Sequence, residues 1–523
     1  MRAVKNFLRY YETIRHLRLK QIFYFAVKPI RAKIARYHFS SKPSIPEPRK
    51  LKLQPFLHSE HSLSENAFTF LNLEKFFQDG KPDWNFREYG LLWNYNLNYF
   101  DYLNQENLNV ESGLNLIHHF IDNAVPVSPS YDPYPVSLRG INWIKFLVKN
   151  HIAESRINDS LFRQYVKLSY EIERHLGANH LIENGFSLLF AAYYFNDGKF
   201  LSAAEKILIR ELNEQILNDG AHFELSSMYH RIILYRILDC INLVKNNAEE
   251  HITLLKLLEE KASVMLCWMN KMTFLNGKMP HFNDSTLGIA PDPEQLIFYA
   301  KKLDIKPRNL ALSESGYRKF SFPKYELILD TGDIIPSYNP GHAHAGMLSF
   351  CLNVSNRPVI VDCGTSTYEN NERRKYERST AAHNTVSVDG LEQSDMWSSF
   401  RVGRRAKITE VRSTENSCSA MLKGFTSAGI RHKREWEFSE NRIIIKDLLD
   451  GKHLCKAFLH FHPKINVEQA EGSISGDNFS ITFKNHSKIS LDNYDYAEGF
   501  NRLVKAKVAV VLFSGRLQTE IAL

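Results

Sequence analysis

The chain has 523 residues, enough for more than one domain and a large core. Hydrophobic content of 44% with 24% charged residues is ordinary for a soluble globular protein. The formal charge of +8 favours an anionic partner: nucleic acid, a membrane face or an acidic polymer. No RNP-type motif, zinc-finger spacing or basic recognition helix occurs, so nucleic acid is set aside. The six Cys, at 240, 267, 351, 363, 418 and 455, form no CxxC pair and no disulfide framework, which suits a reducing compartment.

Residues 1–40 are basic and partly apolar, and charges interrupt every apolar run. The segment therefore contains neither a signal-peptide core nor a membrane span. It reads as an amphipathic helix packed on the main body, with weak peripheral contact to an anionic membrane as the competing reading. Residues 42–55, KPSIPEPRKLKLQP, read as a linker. Aromatic and Asn residues crowd the next stretches, LLWNYNLNYFDY from Leu91 and YDPYPVSLRGINW from Tyr131.

From about 110 to 305 the period is helical. Leu208, Leu212 and Ile216 recur at i, i+4 and i+8, and Leu254, Leu257 and Leu258 at i, i+3 and i+4. Short polar turns, NDGK from Asn196 and NDGA from Asn218, predict stacked helical hairpins. After about 311 the period falls to two, in KAKVAVVLF from Lys505, NRIIIK from Asn441 and NFSITF from Asn478. Helices first and strands afterwards predict an α+β protein of separate domains with a cleft where they meet. The expected parts are a basic segment and linker over 1–55, a helical domain over 56–310 and a sheet domain over 311–523.

Two spots in the helical half hold more polar groups than a core needs. In ANHLIENGF, Asn179 and His180 start an apolar helix and Glu183 follows one turn later; an Asn there also suits a plain helix cap. In NDGAHFELSSMYHR, the residues His222, Glu224, Tyr229, His230 and Arg231 fall close together. Such a set suits removal of the C5 proton of a uronic acid. An amide and an imidazole beside the sugar carboxylate would stabilise the developing charge. A Tyr or His would take the proton and return one to the glycosidic oxygen. Asn179, His180, Tyr229 and His342 supply those types, with Glu183, His222, Glu224, Arg231 and Arg378 as candidate substrate contacts. Each of the two arginines is as well suited to a structural ion pair.

The stretch from Gly341 to Thr385 is the chemical centre of the back half. His342 and His344 are two apart, so an extended backbone puts both side chains on one face. Asp362 ends the apolar run PVIVD, and His383 lies in AAHNT before another alternating stretch. Imidazoles and a carboxylate from neighbouring strands suit Zn²⁺ or a similar divalent ion. His281 and Asp284 in PHFNDS, and His460 in FLHFHP, are further cleft or structural candidates.

From about residue 90 to 465 the sequence resembles the heparinase II/III family, relatives of the alginate and chondroitin lyases. NHLIENGFSLLFAAYYF, DGAHFELSSMYHR, PHFNDS, GHAHAGMLSF, VDCGTSTY and RSTAAHNTVSVDG carry the resemblance, in that order. It implies an incomplete (α/α) toroid followed by an antiparallel β-sandwich, and β-elimination on an acidic polysaccharide held between them. By the same resemblance, Asn179 neutralises the substrate carboxylate with His180 beside it. Tyr229 is the catalytic Tyr, acid and in some substrates base. His342 is the catalytic His, and His344, Asp362 and His383 form a structural metal site for zinc or a similar ion. His342 thus moves from metal ligand to catalysis.

Members that degrade heparin are exported, and no export signal is visible here. The basic N-terminal segment is more similar to members that serve surface-polysaccharide synthesis, which implies a cytoplasmic, membrane-associated location, with the periplasm as alternative. A uronate C5-epimerase uses the same proton abstraction on the same fold, and a non-catalytic glycan-binding or assembly factor could keep the cleft. The joint presence of Asn179, Tyr229 and His342 argues against the last, because a binding module needs no general acid.

Overall fold

The computed structural model describes residues 2–41, 45–247, 252–426 and 428–523, with side chains from residue 7 onward. Twelve α-helices are described. They are α1 (Arg2–Ile14), α2 (Leu19–Ser40), α3 (Leu91–Tyr99), α4 (Val110–Asn123), α5 (Pro133–Lys149), α6 (Ser155–Glu171), α7 (Ala178–Phe195), α8 (Gly198–Gln215), α9 (Ser227–Asn247), α10 (Ile252–Met272), α11 (Pro293–Lys302) and α12 (Glu372–Glu377). Helices α5, α7 and α9 are buried nearly all round and form the inner ring of an incomplete (α/α) toroid. Helices α6 and α8 bury one face each and lie outside it, as does α10, whose second half is buried nearly all round.

The turns are made by the residues their geometry needs. Asn196 adopts the left-handed conformation that ends α7, and the Asp197 carboxylate accepts from Lys199 N and Phe200 N at 2.8 and 3.0 Å to start α8.

A small sheet of β1 (Leu63–Ser64), β2 (Ala67–Phe70) and β3 (Leu73–Phe76) precedes the toroid. The Pro-rich stretch expected as a linker is different in kind where it is described, from residue 45 on; residues 42–44 lie outside the described set. Ile45, Leu51 and Leu53 pack on the toroid core. Gln54 N donates to Asn242 Oδ1 at 2.8 Å, and Arg49 N to the Tyr194 carbonyl at 2.7 Å. Proline excludes regular structure from this stretch but not packing, so it is a strap along the helices.

The sheet half starts at β4 (Tyr317–Phe322) and continues through β5 (Tyr325–Asp330), β6 (Phe350–Val354) and β7 (Arg357–Ile360), which pair in that order as one antiparallel sheet. After α12 come β8 (Val386–Val388) and a two-stranded hairpin of β9 (Met396–Trp397) and β10 (Arg401–Val402). The large sheet contains β11 (Lys407–Ser413), β12 (Ser417–Gly424), β13 (Ile430–Ser439), β14 (Arg442–Leu449), β15 (Cys455–His460), β16 (Glu468–Ala470), β17 (Ser473–Gly476), β18 (Phe479–Gly499) and β19 (Arg502–Ala522). Its order is β11-β12-β13-β14-β19-β18-β17-β16, and β15 joins β19 to β8.

Strands β13 and β14 alternate buried and exposed positions, as a sheet with one wet face must. Strands β5 and β6 are buried at every position. Leu327, Leu329, Phe350 and Leu352 face the large sheet, whereas Ile328 and Cys351 belong to the toroid core. The four-stranded sheet is therefore a middle layer, apolar on both faces, and it locks the two domains against each other. That contact sets the geometry of the cleft at their junction.

Candidate active site

The site is assembled at the starts of two inner helices and a loop of the sheet domain. Gly177, at φ +67°, turns the chain sharply into α7, so Asn179 and His180 fall in its first turn. Asn179 is not used as a cap. Its Nδ2 lies 3.0 Å from both carboxylate oxygens of Glu224 and 3.3 Å from His342 Nε2. Tyr229 stands in the first turn of α9, with its ring centroid 4.0 Å from that of His342. The N-terminal ends of both helices, the positive ends of their dipoles, thus border a space suited to a carboxylate.

The PHFNDS loop welds these parts together. Ser226 Oγ donates to the Asp284 carbonyl at 2.6 Å, and Asp284 N donates to the His342 carbonyl at 3.1 Å. His344 N donates to Asn283 Oδ1 at 3.0 Å. Asp284 itself is fully buried and accepts from His342, His344, Arg374 and, at 3.4 Å, Thr365 Oγ1. Its Oδ2 accepts from His342 Nδ1 at 2.8 Å and Arg374 Nη2 at 2.7 Å, and its Oδ1 from His344 Nε2 at 2.8 Å and from Arg374 Nη1. Burial alone would raise this carboxyl, but Arg374 and the two imidazoles outweigh it and hold Asp284 well below the usual carboxylate range. With Nδ1–H of His342 committed to a permanent anion, its Nε2 carries the lone pair and faces Asn179 across the cleft.

Burial pushes the Tyr229 phenol well above its ordinary value, and the neighbouring Tyr368, Asp284 and Glu224 add to the effect. Tyr229 is therefore protonated at neutral pH. Its hydroxyl lies 3.2 Å from that of Tyr368. Tyr368 also packs edge-on against Phe400, which lies against His342 with ring centroids 5.9 Å apart.

Three of the expected catalytic side chains thus meet at one point. His180 lies beside them with a third of its side chain exposed, its Nδ1 3.1 Å from Glu173 Oε1 and its ring 4.6 Å from Tyr134. Burial opposes the protonated form of His180, but Glu173 more than offsets it and raises its pKa. Glu224 orients Asn179. His222 is fully buried behind it and donates from Nε2 to Gln215 Oε1 at 3.1 Å; burial lowers its pKa to about 4.

Three expected substrate contacts have other partners. Glu183 lies inside the toroid, paired with Arg236 at 2.9 Å. Arg231 donates to the Pro291 carbonyl at 2.9 Å and pairs with Asp292 at 3.5 Å, fastening the loop before α11. Arg378 directs its guanidinium at the carbonyls of Ala343, Ser398 and Arg401, 3.1 to 3.3 Å away, and holds the His342 loop from behind. All three are buried, and every guanidinium nitrogen of Arg378 already has a partner inside the protein.

His344, Asp362 and His383 are neighbours, with the two imidazoles 5.4 Å apart. His383 Nδ1 lies 2.7 Å from Asp362 Oδ2. Gly346 makes room for this, because a Cβ there would come within 2.9 Å of the His383 ring. Among the described residues no group of three or more His, Cys, Asp or Glu stands ready-made around a metal position. Two buried nitrogens, His344 Nδ1 and His383 Nε2, nevertheless have no partner.

Two residues of the site gave no sequence signal. Arg374 sits in the polar run NERRKYER, which reads as a solvated helix face, and Tyr368 ends a motif whose Asp and Gly draw the attention. A better signal was available for Asp284, in the short run NDS placed between the two halves.

Sequence models of two parts of one family match the chain: "Heparinase II/III N-terminus" over residues 142–296 and "Heparinase II/III-like, C-terminal" over 305–523. A heparin-sulfate lyase of Bacteroides stercoris is 23% identical over a 334-residue alignment that covers 58% of this chain and 48% of that protein, so the match spans about half of the relative's length. Among solved structures, a heparinase III superposes with a TM-score of 0.67 at 14% identity, covering 96% of this chain and 91% of its own. A mutant of the heparan sulfate lyase of Pedobacter heparinus gives 0.56 at 14% identity, covering 96% and 90%. At these identities the likeness is one of fold.

Proposed function

The chain belongs to the heparinase II/III family, and we propose that it is a polysaccharide lyase cleaving uronic-acid-containing chains by β-elimination. The observation that carries this reading is the meeting of Asn179 Nδ2 and His342 Nε2 at 3.3 Å beside the Tyr229 ring. One hydrogen of the Asn179 amide is fixed on Glu224; the other is the donor for the substrate carboxylate. Charge that spreads onto that carboxylate as C5 loses its proton is stabilised there. His342 Nε2 takes the C5 proton, because Asp284 keeps the opposite nitrogen protonated. The C5 electron pair becomes the C4–C5 double bond as the C4–O bond breaks. The Tyr229 phenol, held protonated by burial, gives its proton to the departing oxygen, and proton transfer from His342 back to Tyr229, directly or through water, restores both.

Relatives named for heparin and heparan sulfate support an acidic glycosaminoglycan-like substrate for this chain. An epimerase would need proton donors on opposite faces of C5, and Tyr229 and His342 lie against each other instead. Incubation with a panel of acidic polysaccharides in D₂O tests the reading. Elimination creates unsaturated, ultraviolet-absorbing ends with chain shortening; deuterium at C5 without shortening would replace lyase by epimerase.

We propose further that a divalent ion is held by His344 and His383, with Asp362, expected as a third ligand, instead holding His383 Nδ1. Each imidazole has one nitrogen fixed by a carboxylate, Asp284 or Asp362, and the other buried without a partner. That is the arrangement metal-bound histidines adopt, and the donor type suits zinc. When bound, the ion would fasten the His342–His344 loop to the His383 segment of the same domain and take no part in proton transfer. We infer a place in surface-polysaccharide metabolism from the basic N-terminal segment; the six buried free cysteines suit the reducing compartment that reading implies.

A further inference from the structure

The chain's positive charge is concentrated in its first two helices. Residues 1–40 hold ten Lys or Arg and one acidic residue, Glu12, a net +9 against +8 for the whole chain, which leaves the remaining residues at −1. Glu12 is already engaged by Arg15 at 2.8 Å and Arg404 at 3.9 Å. Helix α2 has no acidic residue at all.

The same helices expose apolar groups where a surface helix normally carries polar ones. One face of α2 packs on the toroid: Gln21 and Ala35 are buried, and His38 stacks on Tyr170 of α6 with centroids 4.6 Å apart. Leu19, Ile22, Phe23, Ile30 and Tyr37 recur at helical spacing on the opposite side, and their exposures run from 46% to 85%. Beside this stripe, Lys20 and Tyr24 meet Arg174 and, from α8, Lys206 and Arg210, around a depression of about 240 Å³. Lys33 and Arg36 lie exposed along the helix. Helix α1 extends the surface with exposed Phe7, Tyr11 and Ile14.

We propose that α1 and α2 form a docking face for an anionic lipid surface. The apolar stripe enters the headgroup layer while the flanking cations meet lipid phosphates, and the basic depression receives one of them. Charge selects this occupant: an apolar stripe bordered by Lys20, Lys33, Arg36 and the cations of the depression fits a negatively charged, apolar-cored layer, whereas a second copy of the chain would bring the same cations against themselves. No helix among the described residues is long and apolar enough to cross a membrane, so the contact is interfacial. Helix α1 is also tied to the β9–β10 hairpin by Arg9 and Asp395 at 2.8 Å and by Trp397 Nε1 donating to Thr13 Oγ1 at 3.1 Å. That hairpin leads into Phe400 beside His342, so docking would bring the cleft rim to the lipid surface.

Vesicle co-sedimentation of the full chain tests this, with phosphatidylcholine alone and with phosphatidylglycerol added. Two variants remove one component each: Ile22→Ser with Phe23→Ser and Ile30→Ser, and Lys20→Gln with Lys33→Gln and Arg36→Gln. All six side chains face solvent or its edge, and circular dichroism checks that the fold is kept. Binding to the anionic vesicles should exceed that to neutral ones by at least about tenfold and weaken with salt. It should fall about fivefold for each cation removed, and at least about tenfold in the serine variant. The proposal is overturned if wild type does not sediment with anionic vesicles, or if neither variant changes sedimentation. A wild-type dimer dissolved by the serine substitutions without vesicle binding would overturn it in favour of a second copy.

Discussion

Arg374 of the sheet domain reaches Asp284 of the helical half with both terminal nitrogens, Nη2 at 2.7 Å from Oδ2, at a point closed to solvent. The pair joins the domains and also sets the charge state of the site, because the Asp284 anion fixes which nitrogen of His342 is free. Removing one partner of such a pair leaves a buried charge. Arg374→Met should cost about 3–5 kcal/mol of stability, read as a lower thermal or urea midpoint. It should also change the acidic limb of the pH–rate profile, which a purely structural ion pair would leave in place.

Tyr229→Phe keeps the ring against His342 and deletes only the hydroxyl. If the phenol protonates the departing oxygen, kcat should fall by about 10²–10⁴ with the folded signature unchanged. A loss of only a few-fold would remove Tyr229 from proton transfer. A substrate with a good leaving group, which needs no proton, should recover part of the rate.

Arg378 separates two roles by kinetics. As a loop anchor through the carbonyls of Ala343, Ser398 and Arg401, its replacement by Met should lower kcat and thermal stability together. A side chain that binds sugar carboxylate would raise KM and leave stability alone.

The pH dependence of stability has a defined sign at Asp447. Burial opposes its charge, but Arg434 and His432 outweigh it and hold the carboxyl at about 2. A depressed carboxylate contributes stability that is fully present above its unfolded pKa of about 3.9 and is lost as pH falls through the folded value. The contribution is on the order of 2 kcal/mol. The stability difference between wild type and Asp447→Asn should therefore shrink between about pH 5 and about pH 2. A difference constant over that range would refute the linkage.

Metal analysis of dialysed protein should find one divalent ion per chain if His344 and His383 hold it. A chelator should then lower the thermal midpoint of wild type and leave His383→Ala unmoved. An ion-free protein whose midpoint ignores both chelator and added zinc would reduce the site to a hydrogen-bonded cluster.

The order of periods along the chain determined the architecture by itself. Helical spacing through Leu208 and Leu254 and alternation through Asn441 and Lys505 are local properties, and burying one face of each element leaves few ways to fold them. Asn179, Tyr229 and His342 were legible for a similar reason: each stands in a short run too polar for the apolar element it begins. Only the tertiary structure decided that Asp284 lies between His342, His344 and Arg374, and that Glu183 and Arg378 turn inward. The contacts of Asp284 with those three join residues 58 to 90 positions apart, and an Arg bound for a buried carboxylate looks in sequence like one bound for water. The charge balance shows the same division. The total of +8 was plain from composition, but only the placement of α1 and α2 reveals that basic residues border an exposed apolar face. Composition sums over the chain, whereas a surface depends on which side of a helix meets solvent.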